Sequence, residues 1–224
     1  MRRCKIIHAD LKPDNVLLSK NKNLLKVCDL GSAFDVTENE TTSYLVSRWY
    51  RAPEVCLGAK YDTQIDVWAA AVSVYEIYTG EILFKGDDNN HMLKLIFELR
   101  GKPSNKVIKS GAFWKKHFSD DLDFQWFTKD KGTKKEKLVT MREMNNSRPL
   151  KNFDEKVLAK IPPERRNSTD PNHMAYMKKV RQFADLLNKC LVVDPEKRYT
   201  PDEALMHPFI REPWPTKQNV PQAK

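Results

Sequence analysis

A short run near the amino terminus, residues 8–15 (HADLKPDN), constrains the chain more than any other feature. Asp10 and Asn15 are five positions apart, and another acid, Asp29, follows in the run VCDLG. Phosphoryl transfer needs a carboxylate to orient the attacking hydroxyl and oxygen ligands to hold Mg²⁺ on the phosphates. Asp10 is the candidate carboxylate, and Asn15 and Asp29 are candidate Mg²⁺ ligands, because this ion prefers oxygen. Lys12 is the candidate cation for the migrating charge.

The composition is typical of a folded globular protein. The chain has 224 residues, of which 40% are hydrophobic and 31% charged, so one large domain or part of one is expected. The longest nearly apolar run, between Asp66 and Glu76, has about half the length that a membrane helix requires. No apolar core of a signal peptide follows the basic start. The four cysteines form no C-x-x-C pair, which favours buried thiols in a reducing compartment.

The net charge of +9 leaves two interpretations open. Such an excess favours nucleic acid or an acidic partner. The basic residues are spread out, however, with a modest concentration at residues 129–137, where no aromatic residue is interleaved. A platform on which bases stack would need aromatic side chains. A solvated basic loop is the favoured interpretation, and no direct nucleic-acid partner or membrane is expected.

Two apolar runs, residues 15–19 and 24–28, flank a short polar turn and predict a β-hairpin. Asn15 begins the first run and Asp29 follows the second, so one hairpin would bring the candidate Mg²⁺ ligands together. Residues 30–50 are rich in hydroxyl and acidic side chains through Ser43, and they predict a mobile loop.

Helical patterns dominate the rest of the chain. Residues 65–78 form an apolar run with Asp62 or Thr63 as its cap and Gly80 as its terminator. This helix is apolar nearly all round, so we expect it to be buried at the centre of the fold. Asp66 within it must then find hydrogen-bond donors, because an unpaired buried carboxylate is costly.

Three further segments are predicted beyond this helix. Residues 89–99 and 174–191 have helical spacing of apolar residues, and Thr200 opens a capping-box sequence for a short final helix. Residues 102–172 are polar and without sustained period. They predict an insertion of irregular structure, pinned to the body by a few aromatic side chains.

Three ordered motifs carry a resemblance to a known family. H-x-D-x-x-x-x-N at residues 8–15, D-x-G at 29–31 and A-P-E at 52–54 resemble the catalytic loop, magnesium motif and activation-segment end of protein kinases. Residues 44–54 look like the group that includes cyclin-dependent, mitogen-activated and dual-specificity kinases, often called CMGC. Residues 89–95 resemble its splicing-associated, pre-mRNA-processing branch, which lies near the dual-specificity kinases.

The resemblance implies an α+β, mainly α fold, the large (C-terminal) lobe of a kinase, with a small β-hairpin carrying the catalytic loop. It implies a partial kinase domain over residues 1–210, with the group's insert at about 87–172, and a proline-containing tail over residues 211–224. The implied activity is transfer of the ATP γ-phosphate to serine or threonine in a protein, with ATP and Mg²⁺ as cofactors. Nuclear location, possible spliceosomal partners and a monomeric state are implied by the resemblance alone.

The resemblance also implies roles for individual residues. Asp10 is the catalytic base, Lys12 stabilises the phosphoryl charge, and Lys12, Asn15 and Asp29 hold the nucleotide, the last two through Mg²⁺. Tyr44 is the activation-segment phosphosite. The remaining implied roles are phosphate reception by Arg48 and Arg51, and structural support by His8, Ser47, Glu54, Asp66 and Arg198.

The largest departure from the family is the nucleotide cradle. Seven residues precede His8, and no G-x-G-x-x-G run occurs among the chain's 7 glycines, although kinases cover the phosphates with such a loop. We therefore expect the small lobe to be missing and this chain alone to be weak or inactive. The alternative is a non-catalytic truncated lobe that acts as a protein-binding module.

Overall fold

The computed structural model describes residues 1–38, 45–129, 136–140 and 153–214. Its helices in these ranges are α1 (Pro53–Leu57), α2 (Gln64–Thr79), α3 (Asn89–Arg100), α4 (Asn105–Ser110), α5 (Asp154–Leu158), α6 (Pro163–Arg166), α7 (Pro171–Cys190), α8 (Pro201–Leu205) and α9 (Pro208–Arg211). Its strands are β1 (Ile6–Ile7), β2 (Val16–Leu18), β3 (Leu25–Val27), β4 (Phe34–Asp35), β5 (Gln125–Lys129) and β6 (Glu136–Thr140). The mainly helical content with few strands agrees with the predicted kinase-like fold.

The described strands form three separate antiparallel pairs. β2 and β3 are the predicted hairpin, with Val16 opposite Val27. β1 pairs with β4, which places Ile7 opposite Phe34. The predicted loop over residues 30–50 is therefore partly wrong, because it contains β4 and two 3₁₀ turns. Residues 39–44 of that loop lie outside the described residues.

Helix α2 is the centre of the core, as its composition predicts. Trp68 and Val72 are completely buried, and the ring of Trp68 stacks on Phe84 with centroids 5.8 Å apart. The helix begins after Thr63 and ends at Gly80, whose φ of 73° provides the left-handed stop. The helix was expected to be buried nearly all round, but one stripe along it is exposed. This exposed stripe is formed by Ala70, Val74 and Ile77.

Helix α3 packs beside α1 and against residues 102–172, which are called the insert from here on. Asp88 caps α3 by accepting a hydrogen bond from the His91 backbone amide at 2.8 Å. Phe97 of α3 contacts Phe118 and Phe124 of the insert, with ring centroids 6.0 and 5.2 Å away. The predicted aromatic anchors are therefore present, but the prediction of irregular structure is wrong. Helices α4 to α6 and the β5–β6 ribbon fall within this region.

The carboxyl-terminal helices close the other side of α2. Helix α7 starts three residues before the predicted boundary, because Asp170 caps it and Pro171 occupies its first turn. The predicted capping box before α8 is present, with the side chains of Thr200 and Glu203 bonding each other's backbone amides. None of the described helices has the length and hydropathy that crossing a bilayer requires.

Candidate active site

The catalytic loop is attached to α2 through one carboxylate. Asp66 accepts hydrogen bonds from the backbone amides of His8 at 2.8 Å and Ala9 at 3.1 Å. These two bonds supply the donors that a carboxylate in a buried helix needs. Burial raises the pKa of Asp66, although the two backbone hydrogen bonds oppose that shift. The backbone turns at Ala9 with a φ of 63°, and this turn presents Asp10 away from the core.

The ring of His8 links the loop to the segment that carries Asp29. His8 is fully buried, and its Nδ1 accepts a hydrogen bond from the Asp10 amide at 3.2 Å. Its Nε2 therefore carries the proton and donates to the Cys28 carbonyl at 3.1 Å. The ring thus joins the candidate base Asp10 to Cys28, the residue before the candidate metal ligand Asp29.

Four donors surround the carboxylate of Asp10. Its Oδ1 accepts from the Ser47 hydroxyl at 2.6 Å and from the Ser47 amide at 3.2 Å. Its Oδ2 accepts from Lys12 Nζ at 2.7 Å and Asn15 Nδ2 at 3.2 Å. Lys12 Nζ also donates to the Ser47 hydroxyl at 3.0 Å. The Ser47 hydroxyl thus lies between Asp10 and Lys12 and is hydrogen-bonded to both.

This environment keeps Asp10 ionised. Partial burial favours the neutral acid, but the hydrogen bonds from Lys12 and Ser47 and the charge of Lys12 together lower the pKa of Asp10. An anionic carboxylate with both oxygens held by donors has a defined orientation. Such a group can align an acceptor hydroxyl and accept its proton as the hydroxyl oxygen attacks the phosphoryl group.

The two candidate Mg²⁺ ligands lie at the same, open end of the hairpin. Asn15 immediately precedes β2, and its backbone carbonyl accepts from the Cys28 amide at 2.9 Å, next to Asp29. Because Asn15 Nδ2 donates to Asp10, its side-chain oxygen is directed elsewhere, and no hydrogen bond to it occurs among the described residues. Asp29 is exposed at a φ of 63°. An amide oxygen and an exposed carboxylate fit the oxygen ligands that Mg²⁺ prefers.

Arg48 and Arg51 occupy different environments. Arg48 is exposed. Arg51 is 6% exposed, and its guanidinium donates to the carbonyls of Leu45 at 2.8 Å and Val46 at 2.9 Å and to the Asn89 side chain at 2.5 Å. These bonds fix the backbone that leads into Ser47, where Val46 has a φ of 68°. Tyr44, the predicted phosphosite, lies outside the described residues.

Glu54 and Arg198, two of the residues with implied structural roles, form an ion pair in the core. Two parallel hydrogen bonds of 2.7 and 2.9 Å join them, and both side chains are essentially inaccessible. The Arg198 guanidinium also donates to the Gln64 carbonyl at 2.8 Å and lies 5.1 Å from the Trp68 ring. This pair attaches the end of the activation segment to the base of α2.

Sequence reasoning missed one contact near the site. The Tyr50 hydroxyl donates to Glu76 of α2 at 2.6 Å. Burial, and then the carboxylate, raise the pKa of Tyr50 well above its usual range. The only available signal was a polar residue, Glu76, near the end of an apolar helix. That signal does not identify its partner, since 26 residues separate the two.

Comparison with known proteins identifies the family of the chain. The protein kinase domain model matches residues 1–210. The chain is 45% identical over 211 residues to the serine/threonine-protein kinase prp4 of Schizosaccharomyces pombe, covering 94% of this chain and 42% of that protein. It is 42% identical over 211 residues to the serine/threonine-protein kinase prpf4B of Dictyostelium discoideum, covering 94% of this chain and 25% of that protein.

A more distant relative is the dual specificity tyrosine-phosphorylation-regulated kinase mbk-2 of Caenorhabditis briggsae, at 35% identity over 214 residues, or 94% of this chain and 24% of that protein. The chain therefore spans less than half the length of each of these three relatives. The family match and the two prp4-type relatives agree with the predicted kinase group. The chain belongs to the protein kinase domain family, in the CMGC group near the prp4 kinases.

Proposed function

We propose that this chain provides the catalytic loop and magnesium ligands of a protein kinase that transfers the ATP γ-phosphate to serine or threonine. The observation that carries the proposal is the Asp10 carboxylate, held by donors from Lys12, Ser47 and Asn15. The two relatives named serine/threonine-protein kinases support the choice of acceptor.

Each residue at the site has a distinct task in this proposal. Mg²⁺ bound to ATP would neutralise the phosphates, and Asn15 and Asp29 would hold it. Asp10 orients the acceptor hydroxyl and takes its proton. Lys12, which already lies against Asp10, attracts the charge of the transferring phosphoryl group. His8, Asp66 and Ser47 hold Asp10 in place and do not touch the reactants.

Several finer points are also proposals. On the resemblance to the pre-mRNA-processing branch, with which the relatives named prp4 and prpf4B agree, we propose substrates in the pre-mRNA-processing machinery and a nuclear location. The monomeric state is proposed on the resemblance alone. Phosphorylation at Tyr44 would regulate the site through Arg48 and Arg51. The sequence contains no glycine-rich phosphate loop, so we propose that the 224-residue chain alone is weak or inactive and that the parent kinase includes a small lobe.

Phosphate transfer to a serine- and threonine-containing protein mixture tests the proposal. The longest native form from the source cells should incorporate radiolabelled phosphate from Mg-ATP, and Asp10→Asn should remove nearly all of it. Removal of a catalytic proton acceptor typically costs 10²- to 10⁴-fold in rate. The control is Asp14→Asn, which alters an exposed acid of the same loop. Equal activity of wild type and Asp10→Asn would overturn the assignment.

A second candidate function, a non-catalytic binding module, is favoured by one observation. The hairpin exposes Leu17, Leu24 and Leu25 by 54%, 53% and 66%, which is unusual for large apolar side chains so close together. Native protein that transfers no phosphate but loses protein partners on Leu17→Ser would support this candidate. Partner binding that survives this change would leave it without support.

A further inference from the structure

A cavity of about 330 Å³ lies between the activation segment, the start of α3 and the insert. We call it the insert pocket. Its charged lining residues are Arg48, Arg51, Asp88 and Lys116. The uncharged part of the lining is formed by Cys56, Asn89, Asn90, Phe113 and His117. Three segments that are far apart in sequence therefore contribute to one concave surface.

The two arginines contribute to the insert pocket in different ways. The guanidinium of Arg51 is committed to the carbonyls of Leu45 and Val46 and to Asn89, so it acts as a fixed positive charge in the wall. For Arg48, by contrast, the described residues provide no hydrogen bond or ion pair. An exposed arginine above a fixed buried one is an arrangement that attracts an anion, and a guanidinium binds phosphate oxygens through paired N–H groups.

The insert places Lys116 at the same surface. Backbone hydrogen bonds of 2.9 Å join Ala112 to Gly58 and Phe113 to Leu57, so this part of the insert is fixed to the end of α1. The Phe113 ring lies against Gly58 so closely that a β-carbon there would come within 2.4 Å. Lys116 follows in the next turn, with its Nζ 4.9 Å from the Phe113 ring centroid.

The charge balance of the lining favours an anion. Among the residues that the structure describes, Asp88 is the only acid in the lining, and its carboxylate accepts a hydrogen bond from the His91 amide as the cap of α3. Burial lowers the pKa of His117 to about 4, so this ring is neutral at physiological pH. Arg48, Arg51 and Lys116 thus outnumber the acid by three to one, and the amino-terminal end of a 12-residue helix adds a favourable dipole.

We propose that the insert pocket binds a phosphate monoester and that Lys116 of the insert is a ligand of that phosphate together with Arg48. This inference rests on the proposed function, because it extends the expected regulation by phosphate from the activation segment to the insert. The phosphate comes either from this chain, at Tyr44, or from another protein. The insert then acts as a sensor of phosphorylation at the catalytic face.

Nuclear magnetic resonance titration of the full chain with phenyl phosphate tests the inference without requiring catalysis. We expect shifts of resonances from Arg48 and Lys116, with phenol as the uncharged probe that leaves them unchanged. Lys116→Met should raise the dissociation constant about fivefold, the effect of one partly screened ion pair. The matched control is Lys109→Met, an exposed lysine of α4 outside the pocket lining, which should bind like wild type.

The outcomes separate this inference from the proposed function. Weaker binding in Arg48→Met with unchanged binding in Lys116→Met would overturn the role of the insert and leave the predicted role of Arg48 intact. Equal shifts with phenol and phenyl phosphate, or no shift with either, would overturn the anion site. Since none of these readouts measures phosphate transfer, an inactive chain can still support the inference.

A second arm identifies the source of the phosphate. A chain carrying phosphotyrosine at position 44 is titrated in the same way. Loss of phenyl phosphate binding, restored by a phosphatase, would identify Tyr44 as the source. Undiminished binding would identify a phosphate on another protein as the natural ligand. The phosphatase-treated chain must itself bind phenyl phosphate. If it does not bind phenyl phosphate in repeated preparations, the inference is overturned.

Discussion

Two lysine- or arginine-carboxylate pairs in this molecule differ chiefly in their exposure to water. The Arg198–Glu54 pair lies in the core with side chains 0% and 1% exposed, whereas the Lys12–Asp10 pair at the catalytic loop is 24% and 16% exposed. Removing one partner of a buried pair leaves an uncompensated charge in a medium that solvates it poorly. In a partly exposed pair, water can solvate the partner that remains. The first pair therefore maintains the fold, and the second is available for chemistry at little structural cost.

The largest expected effect is on the buried pair. Arg198→Met should lower the free energy of unfolding by about 3–5 kcal/mol, because Glu54 would remain buried without its partner. Urea denaturation followed by circular dichroism measures this change. Lys197→Met is the control, since the neighbouring lysine has a 74% exposed side chain and a surface contact with Asp194. A loss below about 1 kcal/mol for Arg198→Met would remove the contrast between the two pairs.

Acid should weaken the attachment of the insert through His117. Burial lowers the pKa of this ring from 6.5 to about 4, so the unfolded chain takes up a proton at a pH where the folded chain does not. Stability is therefore lost as the pH falls from about 6.5 towards 4, by about 3 kcal/mol in total. His117→Gln should flatten this part of the stability–pH curve relative to wild type. Parallel curves for the two proteins would contradict the assignment.

Two glycines separate backbone strain from packing of the insert. Gly58 and Gly80 both have positive φ, of 68° and 73°, but a β-carbon at Gly58 would meet Phe113 while one at Gly80 would meet nothing within 4 Å. Gly80→Ala should cost about 1–2 kcal/mol from the backbone alone, because a residue with a β-carbon is strained in the left-handed region. Gly58→Ala should cost about 1–3 kcal/mol more, as overpacking does. Equal melting temperatures for the two variants would mean that the Phe113 ring moves aside without a measurable cost in stability.

The smallest expected effect on stability is at the catalytic pair. Lys12→Met should change the free energy of unfolding by about 1 kcal/mol or less. The same change should raise the pKa of Asp10, since Lys12 helps to lower it. The stabilising part of this interaction is present above pH 3.8 and disappears as the pH falls through the lower pKa of the folded state. Carbon-13 titration of the carboxyl group measures the shift, and an unchanged pKa would contradict the role of Lys12.

The sequence predicts the local elements of this fold well. The boundaries of α2 and α3, the β2–β3 hairpin and the Thr200 capping box all follow from signals within a few residues of each element. The pairing of β1 with β4 has no such signal. Ile6–Ile7 and Phe34–Asp35 are two residues long, too short to establish a period, and their pairing depends on tertiary contacts across the catalytic loop.

The candidate site shows the same division. The motif predicts the residue types at positions 10, 12, 15 and 29, because the chemistry restricts which side chains can serve. It does not predict that the Arg51 guanidinium is hydrogen-bonded to the carbonyls of Leu45 and Val46. From the sequence alone, the same guanidinium fits a phosphate equally well. The insert pocket was likewise invisible, because its residues come from positions 48 to 117 and meet only after α1 and α3 have packed.

The two hydrogen bonds from His8 and Ala9 to Asp66 have a kinetic consequence. These amides are held by a side chain of the central helix and not by a neighbouring strand, so they can exchange with solvent deuterium only when the loop separates from α2. Their exchange rates would therefore report the separation of the loop from α2. The loop that carries the candidate catalytic base would thus be protected from exchange by a helix that is distant in sequence.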